Sequence, residues 1–107
     1  GNKINMQKFN PKFSVGSLFI CSKCGQGFSN PTPEQAEKLK SELRSELKAI
    51  DANTKVRVMV SGCLGVCESD QQTFAYYPNS GSAEIYTSDK EHSVSKKDIL
   101  GLIKTKI

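Results

Sequence analysis

No stretch of this 107-residue chain approaches the roughly 20 consecutive apolar residues that a membrane-crossing helix requires, so no membrane association is expected. A secretion signal is not read either: the first residues lack a long apolar core and a small-residue cleavage pattern, and the expected compartment is the cytoplasm. Arginines do not cluster and basic residues do not alternate with stacking aromatics, so nucleic acid is not an expected partner. Histidine occurs once, as His92 between Glu91 and Ser93, and an exposed side chain is expected of it rather than a ligand. A Ser, His and carboxylate constellation, a phosphate-binding glycine loop followed by Lys and a paired-carboxylate site are all missing. The chain is therefore not expected to be an enzyme by itself.

What is present is the composition of an ordinary soluble globule, 36% hydrophobic and 24% charged, in a length that makes one small domain. A bound metal would add usefully to the stability of so small a core. The net charge of +4 resides in Lys3, Lys8, Lys12 and Lys23. All eleven acidic side chains lie in residues 34–107 and are matched there by the other eleven of the fifteen basic ones. The basic excess therefore belongs to the beginning of the chain and reads as a solvated tail.

Residues 1–13 have no clear period and are expected to be a mobile lead-in that docks Phe9 or Phe13 on a domain spanning residues 14–107. Residues 15–20 form a short apolar strand suited to burial on both faces, with Cys21 at its carboxyl end. Gly25, Gly27 and Pro31 mark a loop, after which Thr32, Pro33 and Gln35 make a capping box with proline at the first helical position. Ala36, Leu39, Leu43, Leu47 and Ile50 recur at helical spacing as one apolar stripe. Glu34 with Lys38 and Glu42 with Glu46 mix helpful and unhelpful pairs on the charged face, which reads as solvation.

Val56, Val58 and Val60 alternate with Arg57 and Met59, a second strand running into Ser61, Gly62 and Cys63. A helix of about four turns between two strands favours a right-handed crossover and parallel pairing, with both carboxyl ends on one side. Residues 73–77 and 83–87 then form a hairpin around the turn at 78–81, and residues 89–93 a polar loop. Ser95 with Asp98 is expected to cap a last helix that turns Ile99, Leu102, Ile103 and Ile107 inward, with Gly101 a local weakness. The fold class is α/β: β-α-β followed by β-β-α, a mixed four-stranded sheet with helices packed on it.

All four cysteines fall into two close pairs, Cys21 with Cys24 and Cys63 with Cys67, and each pair follows a strand. Such pairs aim two sulfurs at one point, and parallel strands would bring four thiolates to one inorganic centre. In a chain without a secretion signal, ligation is favoured over a disulfide framework. A centre of two irons and two sulfides takes four ligands, and soft anionic thiolates suit it. Gly62 and Gly65 around Cys63, and Gly25 and Gly27 after Cys24, would let backbone N–H groups approach its sulfurs, while Leu64 and Val66 would limit water access.

The run Ser61-Gly62-Cys63-Leu64-Gly65-Val66-Cys67, after a valine-rich strand and together with Phe19-Ile20-Cys21, resembles the thioredoxin-like [2Fe-2S] ferredoxins and the related cluster-bearing small subunit of respiratory NADH dehydrogenase. The resemblance covers about residues 17–104. It implies a thioredoxin-like fold, a single [2Fe-2S] cluster in one-electron transfer with a redox protein partner (a reductase or an acceptor), and association as a homodimer. Cys21, Cys63 and Cys67 match the family's ligand positions. Cys24 departs from them, since only Ser22 and Lys23 separate it from Cys21.

Three other readings use the same residues. The four cysteines would equally make a tetrahedral structural zinc site. Cys21-x-x-Cys24 after a strand is also the spacing of a dithiol redox pair, although the glycine loop and Pro31 separate Cys24 from the helix N-terminus that would acidify it. The last is a thioredoxin-fold interaction module without a cluster.

Overall fold

The computed structural model of the chain describes residues 6–10, 12–23, 34–62, 64–65 and 71–107. Its elements run β1 (Gly16–Cys21), α1 (Glu34–Ala49), β2 (Val56–Ser61), β3 (Gln71–Pro78), β4 (Glu84–Asp89) and α2 (His92–Lys106). The four strands form one mixed sheet in the order β2-β1-β3-β4. As the crossover argument requires, β1 and β2 are parallel, with Leu18 opposite Val58 and Cys21 opposite Ser61. Strand β3 runs antiparallel to both of its neighbours, β1 and β4.

Strand alternation divides the sheet into two faces. Leu18, Ile20, Val56, Val58, Phe74 and Tyr76 point to one of them and meet Leu39, Leu43 and Leu47 of α1 and Ile99 and Ile103 of α2 in a single buried cluster. Both described helices thus cover the same face. The expectation that β1 is buried on both faces needs correction: Ser17 and Phe19 alternate with the core residues and are only half-buried. Phe19 finds its partner beside it in the sheet, edge-on to Tyr77 with ring centroids 5.3 Å apart.

The close approach of Tyr76 explains a small residue at the start of β1. A Cβ on Gly16 would lie 2.7 Å from the Tyr77 carbonyl oxygen and 2.8 Å from the Tyr76 hydroxyl. Helix α1 stops at Ala49, because the Ala52 N–H reaches back to the Leu47 carbonyl at 2.7 Å and Asp51 takes φ 57°. Ile50 consequently leaves the apolar stripe and is 46% exposed, while Ala52 is buried in its stead.

Helix α2 also differs from expectation. It begins at His92 with Glu91 as its N-cap residue, and no side chain caps it. Ser95 is buried inside the first turn, its hydroxyl donating to the His92 carbonyl at 3.2 Å. Asp98 instead accepts from Ser88 Oγ at 2.6 Å and ties the helix to β4. The hairpin strands extend further than expected, to residues 71–78 and 84–89, which absorbs part of the polar loop. Leu102 is half-buried and Ile107 exposed, so the inward face of α2 is Ile99 and Ile103. Of the two lead-in aromatics, Phe13 is half-buried beneath Arg57, 5.7 Å from its ring centroid, and Phe9 is exposed.

The expected capping residues Thr32 and Pro33, and the loop at 25–31, lie outside the described residues. Gln35 is buried, and its amide donates to the Lys90 carbonyl at 3.5 Å. No helix among the described residues is long and apolar enough to cross a membrane.

Candidate metal centre

Parallel pairing without stagger sets the geometry here. Cys21 and Ser61, the last residues of β1 and β2, are register partners, so both strand ends reach the same edge of the sheet. Ser22 then fastens the two strand ends together: its N–H and its hydroxyl both donate to the Ser61 carbonyl, at 2.8 and 2.7 Å. Strand β3 secures the other side. The Gln72 amide, fully buried, donates to the Cys21 carbonyl at 2.9 Å and to the Thr73 carbonyl at 2.9 Å.

Cys21 itself is 1% exposed, and its sulfur accepts a hydrogen bond from the Lys23 N–H at 3.3 Å. A backbone N–H aimed at sulfur is the kind of contact that a metal-bound cysteine accepts. Beyond the end of β2, Gly62 is exposed with open space around it, and Gly65 adopts φ +88°, a conformation that a side chain would resist. Leu64, between these glycines, is half-buried and lines a groove of about 530 Å³ with Ser61, Phe19 and Tyr77.

Cys24, Cys63, Val66 and Cys67 lie outside the described residues, as do Gly25 and Gly27. Among the described residues no group of three or more His, Cys, Asp or Glu side chains gathers to hold a metal.

His92 contradicts the expectation of an exposed, solitary side chain. It opens α2, and its Nε2 lies 2.7 Å from Glu42 Oε2 on α1, with 17% of the side chain exposed. Lys96 meets the same carboxylate at 3.2 Å and Glu46 at 3.5 Å. Burial alone would raise the Glu42 carboxyl, but the Lys96 hydrogen bond and the charge and hydrogen bond of His92 together hold it below the usual carboxylate range. The acidic flank of α1 is therefore a clasp to α2 rather than a solvating surface.

Two contributors to the cysteine edge escape a reading of the sequence. Ser22 looks like a spacer between cysteines and Gln72 like an ordinary polar strand residue. Neither carries a local signal, because each acts on a backbone carbonyl of a different strand. Compared with known proteins, the chain matches no protein family, no curated protein and no solved structure.

Proposed function

We propose that this chain is a one-electron carrier that holds a single [2Fe-2S] cluster through the thiolates of Cys21, Cys24, Cys63 and Cys67. The observation that carries the reading is the level ending of two parallel strands, Cys21 opposite Ser61, each followed at once by a cysteine-bearing segment. Adjacent strands lie about 4.8 Å apart. Cys63 follows Ser61 by two residues and Cys24 follows Cys21 by three, spans of at most about 7 and 11 Å, so chain length permits both pairs to share one centre.

The donor set suits the group: soft anionic sulfurs, one of them buried and already accepting an N–H. Such a centre supplies one reversible electron. The chain's own residues hold it, point N–H groups at sulfur to ease added negative charge, and limit water through Leu64. The mixed sheet, with its β-α-β then β-β-α order, supports a thioredoxin-like arrangement. Lys23 would draw an acidic reductase or acceptor to this edge, a steering effect that added salt should weaken; Lys12 and Phe13 of the lead-in lie instead beside Val56 and Arg57, toward the opposite end of β2. Association as a homodimer belongs to the same proposal.

Iron and acid-labile sulfide analysis of anaerobically reconstituted protein, with electron paramagnetic resonance after reduction, tests it. Two irons and two sulfides per chain and a single reversible one-electron wave are expected, both lost in Cys63→Ser. Stoichiometric zinc without visible absorption would replace this reading with a structural site. Retention of no metal at all would leave an interaction module.

A further inference from the structure

The β2 edge of the sheet carries a second, unrelated feature. Between β2, the carboxyl-terminal half of α1 and the lead-in lies a groove of about 520 Å³ whose floor is Leu47, Val56 and Phe13. Four cations rim it: Lys12, Arg44, Lys48 and Arg57. Among the described residues no acidic side chain lines it. Among the described residues none of these four cations is in an ion pair; the ion-paired carboxylates meet Lys40, Lys96, Lys106 and His92.

Helix α1 is thus split by charge. Glu42 and Glu46 turn toward α2, whereas Arg44 and Lys48, four residues apart, turn toward β2. Like charges at that spacing oppose each other by a small amount, and an anion between them would relieve it. We propose that this groove docks an acidic segment of a partner protein, with an apolar side chain on the floor and carboxylates on the cationic rim.

The other occupants fit less well. Residues 1–13 of this chain contain no Asp or Glu and so cannot supply the carboxylates. A second copy brings the same net charge of +4. Nucleic acid would need a succession of stacking platforms, and the one aromatic at the groove among the described residues, Phe13, already lies beneath Arg57. Addition of a partner strand to β2 is also disfavoured, since Arg44 Nε occupies the outward Val58 carbonyl at 2.9 Å. Recognition therefore runs through side chains, with the guanidinium groups suited to bidentate carboxylate contacts.

The groove involves the Val56 end of β2, whereas Cys21 is level with Ser61 at the other end, so docking there stands apart from whatever the cysteines hold. The test is an amide-resonance titration of the full chain with a blocked DDLFDD peptide, a blocked SSLFSS peptide and a twelve-nucleotide oligothymidylate. The acidic peptide is expected to move signals of residues 12–13, 44–48 and 56–58. The neutral peptide should bind at least about tenfold more weakly, as should the acidic peptide to a Lys48→Gln, Arg57→Gln double variant. Should the double variant lose its fold by circular dichroism, Lys48→Gln alone, at an exposed helical position, is expected to weaken binding several-fold. Signals moving elsewhere, equal binding of the neutral peptide, unchanged affinity in the folded variants, or stronger binding of the oligonucleotide at these residues would each overturn the proposal.

Discussion

Gln72 joins the cysteine edge to the rest of the sheet, and truncating it is a sharp test of that geometry. Its amide makes two hydrogen bonds of 2.9 Å to the Cys21 and Thr73 carbonyls from a fully buried side chain. Each is worth about 1 kcal/mol net, and deleting a buried side chain adds a cavity cost of about 1–2 kcal/mol. Against this, the Gln72 Oε1 atom is buried with no partner among the described residues, so removing it returns about 1 kcal/mol. Gln72→Ala should then destabilise by about 2–3 kcal/mol, which for a domain of this size lowers the melting midpoint by roughly 10–15 °C.

Gln72→Glu keeps the volume but turns a donor into a carboxylate facing two carbonyl oxygens, and should cost at least about 3 kcal/mol at neutral pH. Desolvation would raise that carboxyl above its unfolded value. Relative to the parent, the variant is therefore least destabilised in acid and loses stability as pH rises through the carboxylate range. Urea unfolding of metal-free protein, followed by far-ultraviolet circular dichroism, isolates the effect from ligand linkage. A Gln72→Ala protein within about 0.5 kcal/mol of the parent, or a Glu variant as stable as the Ala variant at pH 7, would refute the account.

Two further outcomes follow from the packing. Glu42→Gln should weaken the clasp between α1 and α2 by about 1 kcal/mol, a modest figure because the carboxylate is one-third exposed. With the Glu42 carboxyl held low, this stabilisation is present above the ordinary carboxylate range and is lost as pH falls through the folded value, so parent and variant should converge in acid. Glycines 16 and 101 should respond oppositely in thermal melts. Gly16→Ala forces a methyl onto the Tyr77 carbonyl and should cost about 2–3 kcal/mol, whereas Gly101→Ala, mid-helix with nothing within 4 Å, should gain about 0.5–1 kcal/mol.

Periodicity made the secondary structure legible wherever an element buries one continuous stripe or one alternate set of residues. Leu39, Leu43 and Leu47 announce α1, and Val56 and Val58 announce β2; all five lie in the core. The start of α2 was illegible because Ser95 and Asp98 have the composition of a cap, yet their hydroxyl and carboxylate are engaged by the His92 carbonyl and by Ser88. Ile50 continued the stripe on paper until the backbone turned at Asp51. Of the candidate centre, the cysteine spacing and the parallel strands were readable, while the bonds that Ser22 and Gln72 make to it were not.

Local regularities such as hydrophobic spacing, turn residues and paired cysteines are written along the chain, and they suffice for the order of elements and the direction of β2 beside β1. Contacts between distant segments are not written there. His92 meeting Glu42, four cations gathering at the β2 edge, and both described helices lying on one face arise only once the sheet has brought remote residues together. The reason is range: a helical or strand period is a correlation over a few neighbours, whereas a salt bridge, a buried amide or a groove depends on the register of whole elements.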